Sequence, residues 1–117
     1  MIQKLFVFPV LLLPLAFSPT TTLAQEAANQ SQLDSVSEMG NLNGTALQCS
    51  YVEQMQRIKQ ALVLNLPKQR ALGDWFENST NASFLNFMKS GNGCGSKAIF
   101  TLQVDDAIVE LENVFKK

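Results

Sequence analysis

Cys49 and Cys94 are the two residues of this 117-residue chain best placed to do chemistry. A thiol pair can carry redox exchange, a metal ion or a structural disulfide. Redox exchange of the thioredoxin type needs a CxxC spacing, which these two lack. The chain contains no histidine, and two distant cysteines alone supply too few ligands for zinc. A disulfide within the chain is the expected use, provided the protein reaches an oxidising compartment. A free thiol pair and an intermolecular bridge are the competing uses. Closing so long a loop should stabilise the fold by about 4 kcal/mol in the chain-entropy account.

Asp105 and Asp106 form an adjacent carboxylate pair. Neighbours on a helix point roughly 100° apart, so the two do not converge on one proton or one metal. With Glu110 and Glu112 they read as a solvated acidic face. Without histidine the usual general base near neutral pH is missing. No serine stands in a GxSxG setting, and no glycine-rich phosphate loop precedes a helix. The expectation is a non-enzymatic protein with no metal and no cofactor. Trp75, Phe76, Phe84, Phe87, Phe100 and Phe115 are numerous enough to build the core of a small bundle. Trp75, with its neighbour Phe76, is the best candidate for a partner contact, because large amphipathic aromatics anchor interfaces. Asn29, Asn43, Asn78 and Asn81 head Asn-x-Ser/Thr sequons. Asn43 and the Asn78–Ser83 stretch coincide with expected helix starts, so helix capping is favoured over glycosylation.

These residues must be positioned by a chain that opens on an apolar stretch. Lys4, the run Leu5 to Phe17 and the small residues Thr22 and Ala24 have the layout of a secretory signal cleaved before Gln25. The run is shorter than the roughly 20 residues needed to cross a bilayer. Pro9 and Pro14 interrupt it, so no stable membrane insertion is expected once residues 1–24 are removed. The remainder then holds eight basic and ten acidic residues, a formal charge of −2. Its basic residues are scattered, which argues against nucleic acid or an anionic membrane as partner. Residues 25–43 carry no aromatic and few aliphatic side chains, and composition predicts a flexible leader.

Residues 44–117 are then the folded domain. Leu47, Tyr51, Met55, Ile58, Leu62 and Leu66 recur at helical spacing and predict one helix from Thr45 to Leu66. Thr45 to Gln48 matches a capping-box spacing. After Pro67, a second helix is predicted from Lys68 to about Asn78, with Gly73 weakening it. Ser79-Thr80-Asn81 reads as a turn and cap before a short helix over Ala82 to Ser90. The glycine-rich segment Gly91 to Gly95 should be a tight loop pinned by Cys94. Ser96 should cap a final helix whose inner face includes Phe100, Val104, Ala107, Ile108, Leu111, Val114 and Phe115. The predicted fold is an all-α bundle of three to four helices, stapled by one disulfide and preceded by a signal peptide and a leader.

The function expected from these features is that of an exported binding module in the periplasm or outside the cell, of the inhibitor, immunity-protein or accessory-subunit type. Its expected partner is another protein. Two other readings compete. In outline, without a shared motif, the chain resembles small helical acid-stress chaperones of the envelope. Protonating its carboxylates would carry the charge from −2 to about +8 in strong acid, which could open the bundle. A carrier that holds a small apolar ligand between its helices is the other.

Overall fold

The computed structural model describes residues 27–117, and the expected signal peptide over 1–24 lies outside them. Four helices follow one another: α1 (Gln30–Cys49), α2 (Val52–Asn65), α3 (Arg70–Ser90) and α4 (Lys97–Val114). No strand occurs among the described residues. The all-α bundle is therefore observed, with four helices and a Cys49–Cys94 disulfide whose Cα atoms are 5.6 Å apart.

The helices do not share the core equally. Among the described residues, α1 touches each of the other three, α2 also touches α4, and α3 packs against α1 alone. Gln54 meets Thr101 and Arg57 meets Asp105, so α2 and α4 run parallel. Gln32, at the start of α1, donates to the Val114 carbonyl at the end of α4, so those two run antiparallel. The core consists of Val36, Met39, Leu42 and Ala46 from α1, Ile58, Ala61 and Leu62 from α2, and Phe100, Val104, Ala107 and Leu111 from α4. α3 adds only Leu72 to this set. The molecule is thus a three-helix bundle of α1, α2 and α4 with α3 laid on the other side of α1.

Three boundaries differ from expectation, each for a tertiary reason. Residues 30–43 belong to α1 and not to the leader, although composition placed the leader over 25–43. Their few aliphatic residues are well spaced: Val36, Met39 and Leu42 all enter the core. The start of the helix is set by Asn29. Its side chain accepts from the Gln32 N–H at 2.9 Å, and the Gln32 side chain accepts from the Asn29 N–H at 3.0 Å. This capping box satisfies two otherwise orphaned donors. The box expected at Thr45 does not form. Thr45 lies inside α1 and its hydroxyl donates to the Asn41 carbonyl.

The predicted helix Thr45–Leu66 is instead two helices. Ser50 caps α1 in the left-handed region, with φ 57° and ψ 37°, and its N–H reaches the Ala46 and Leu47 carbonyls. A left-handed non-glycine residue costs roughly 1–2 kcal/mol. What it allows is the fold-back that brings Ile58 and Leu62 into the same core as Met39 and Ala46. Tyr51 fixes the corner, its ring 5.2 Å from that of Phe100.

The two helices predicted over 68–78 and 82–90 are one, with no turn at Ser79-Thr80-Asn81. Thr80 is buried, and its hydroxyl donates back to the Phe76 carbonyl at 2.9 Å. Two of the small polar residues that suggested a turn, Ser79 and Thr80, belong to the surface through which α3 meets α1. The cap at Ser96 agrees with expectation: its hydroxyl accepts from the Ile99 N–H.

Candidate functional site

The seam between α1 and α3 is built from small residues. Gly40 and Gly44 present bare backbone on successive turns of α1. A Cβ placed on Gly40 would lie 2.5 Å from the Ser79 Cβ and 2.8 Å from the Phe76 carbonyl oxygen. One placed on Gly44 would lie 2.7 Å from both the Ser83 Cβ and the Thr80 carbonyl oxygen. The two backbones therefore approach more closely than side chains would permit. Close approach brings polar groups together. Ser83 donates to the Asn41 carbonyl at 2.8 Å, and Asn43 donates to the Thr80 hydroxyl at 3.3 Å. Trp75 donates its indole N–H to the Ser37 hydroxyl at 2.6 Å and the Leu33 carbonyl at 3.1 Å. These pairings run in the same direction along both helices, so α3 is parallel to α1.

Because α3 has a neighbour on one side only among the described residues, its other side is open there. Leu85 is 53% exposed, Met88 56% and Trp75 42%. Phe84 and Phe87 are half-buried and stand outside the central core. Beyond Thr80 no residue of α3 is buried. The helix thus lies on the small-residue groove through Phe76 to Ser83 and ends in a mostly apolar turn from Phe84 to Met88. α4 has a second outward apolar row in Ile99, Leu102 and Val109, which the periodicity argument passed over because it followed the inner face.

The loop after α3 is exposed from Gly91 to Ser96 and is anchored at Cys94. Besides the disulfide to Cys49, the Tyr51 hydroxyl stands 3.4 Å from the Cys94 carbonyl and 3.5 Å from that of Gly95. Gly91 and Gly95 have φ of 64° and 66°, the left-handed conformation that glycine adopts without penalty.

Of the residues singled out from the sequence, Cys49 and Cys94 are brought together. Trp75 and Phe76 are separated by function. Trp75 keeps an exposed edge while its N–H is tied to α1, and Phe76 packs inward against the core. Asp105 and Asp106 diverge: Asp105 is ion-paired with Arg57 of α2, and Asp106 is exposed. Arg57 also donates to Gln54 at 2.8 Å, and Gln54, itself buried, donates to Thr101 at 3.1 Å. This network ties α2 to α4. Among the described residues no three histidine, cysteine, aspartate or glutamate side chains stand together as a metal site. The sequons also part company. Asn29 caps α1, Asn43 is buried in the seam, and Asn78 and Asn81 are exposed within α3. Neither Asn43 nor the Asn78–Ser83 stretch begins a helix, which corrects the capping role expected for them.

A cleft of about 940 Å³ opens at the opposite end, where α1 begins and α2 and α4 end. Leu64, Leu66, Leu72 and Phe115 supply its apolar wall, and Asn29, Gln32, Asn65 and Lys116 its polar one. No helix among the described residues is long and apolar enough to cross a membrane. The seam could have been suspected from Gly40 and Gly44, which stand one helical turn apart, a signal that composition alone obscures. No protein-family model, curated protein or solved structure matches this chain.

Proposed function

We propose that this is an exported, non-enzymatic binding module that meets a partner protein through the outer side of α3. The observation that carries the reading is the one-sided packing of α3. It leaves Trp75, Leu85 and Met88 exposed in a chain with a complete core elsewhere. Apolar side chains gathered on one open helix face mark interaction surfaces more often than isolated exposed residues do. Export is supported by the signal-like residues 1–24 and by the disulfide, which persists in oxidising compartments. The partner is expected to offer an apolar pocket or groove, since Leu85 and Met88 are the most exposed large apolar side chains of α3. The test is capture from a native envelope fraction with the chain lacking residues 1–24. A stoichiometric partner should be held by the wild type and by L102E on α4, and lost by an L85E/M88E double variant. Equal retention by L85E/M88E would remove the outer side of α3 from consideration.

The cleft favours a second reading, the carrier of a small apolar ligand. Mass spectrometry of gently extracted protein should then show a bound molecule that a Leu72→Gln variant loses.

A further inference from the structure

We propose that the C-terminal half of α3 is an arm clamped by the Cys49–Cys94 disulfide, and that thiol exchange at Cys94 releases it while α1, α2 and α4 stay folded. The inference concerns the arm itself and holds whichever partner is bound.

Three observations lead to it. First, α3 packs against α1 alone, and only Leu72 and Thr80 of its residues are buried. Local opening follows regions with few buried apolar contacts, and beyond Thr80 no residue of α3 is fully buried, Phe84 and Phe87 being half-covered. Second, the seam is made of glycine, serine and hydrogen bonds. Such groups find replacement partners in water when the helices part, so opening costs less than withdrawing a leucine from the core. Third, the loop that follows is exposed throughout, and beyond the disulfide it is held by one tyrosine hydroxyl. The disulfide is therefore what fastens this end of the arm to the end of α1. The next element is independent of it: α4 has its own Ser96 cap and buries Phe100, Val104, Ala107 and Leu111.

The exchange is balanced as follows. Cys94 is exposed and Cys49 less so, which makes Cys94 the more approachable half of the disulfide. A thiolate of an external dithiol attacks it, and Cys49 leaves as a thiolate that takes up a proton. The second thiolate of the reagent then attacks its own sulfur in the mixed disulfide, freeing Cys94 as a thiolate that is protonated in turn. The dithiol is oxidised by two electrons and the protein is reduced by two. Released, the C-terminal half would uncover the Ser83 side of Gly44 and free Phe84 and Phe87 from their half-buried positions.

Hydrogen exchange read by mass spectrometry tests this on the chain lacking residues 1–24, oxidised and with excess dithiol. Reduction should speed exchange in the C-terminal half of α3 by about tenfold or more, with α2 and α4 changing far less. An unchanged α3 overturns the proposal. Reduction also weakens the whole fold, so oxidised G40A is measured beside it, because its added Cβ pushes α3 away without touching the disulfide. Reduction that accelerates α2 and α4 as much as α3 overturns the release, and in oxidised G40A selective exchange of α3 shows that it parts from α1 on its own. Uniform acceleration of all four helices there overturns it.

Discussion

Replacing Gly40 by alanine tests whether the α1–α3 seam is as close as the geometry states. On an isolated helix this change is favourable, by about 0.8–1.0 kcal/mol. Here the new methyl would lie 2.5 Å from the Ser79 Cβ and 2.8 Å from the Phe76 carbonyl oxygen, whereas carbon atoms pack best at roughly 3.5–4.0 Å. Two of its three near neighbours, the Phe76 oxygen and the Thr80 nitrogen, are backbone atoms that no rotamer change can move. The helices must therefore separate by about 1 Å locally, straining the Ser83 and Asn43 hydrogen bonds. Overpacking of this kind costs about 1–3 kcal/mol, and its rigidity places the cost toward the upper end. The net loss should be about 1–2 kcal/mol. Gly73 is the internal control, because a Cβ there meets nothing within 4 Å. G73A should gain up to about 1 kcal/mol from helix propensity alone. The two variants then differ by about 1–3 kcal/mol, although their chemistry is identical. Thermal melts of the oxidised proteins at 222 nm will show this, since 1 kcal/mol shifts Tm by about 4–8 °C in a domain of this size. If G40A melts at or above G73A, the close approach is wrong, and the arm loses its structural basis.

Other expectations are checked by urea denaturation. Asn29→Ala removes the capping box of α1 and should cost about 0.5–2 kcal/mol. Met39→Ala empties a fully buried site and should cost about 2–5 kcal/mol, while Val63→Ala, at an exposed position, should change stability by less than about 0.5 kcal/mol. Asp105→Asn breaks the Arg57 pair, and because both groups are partly exposed the loss should stay below about 1 kcal/mol and shrink further in high salt. Replacing both cysteines by serine should cost about 4 kcal/mol, a loss that Ellman titration of the native protein, showing no free thiol, would place on the disulfide.

Much of the architecture was legible in the residues alone. The helical class follows from apolar periodicity, which a chain cannot display as both helix and strand. The disulfide follows from two cysteines and a signal-like beginning. The inner face of α4 was read almost residue for residue, because Phe100, Val104, Ala107 and Leu111 fall on one side at 3.6-residue spacing. The Ser96 cap was equally local, set by a hydroxyl within reach of its own helix start.

What only tertiary structure decided are the places where a distant neighbour outweighs local preference. Composition assigned 30–43 to a leader because it counts apolar residues without asking what they meet. Val36, Met39 and Leu42 suffice once α2 and α4 surround them. Ser50 carries no local signal for a break, and its left-handed backbone is sustained by the core that forms when α2 folds back on α1. Ser79-Thr80-Asn81 has the chemistry of a turn but lies on glycine backbone, where small size and hydrogen bonding serve helix contact instead. The open side of α3 was beyond sequence for the same reason. Leu85 and Met88 look like core residues until the packing shows that α3 has one neighbour.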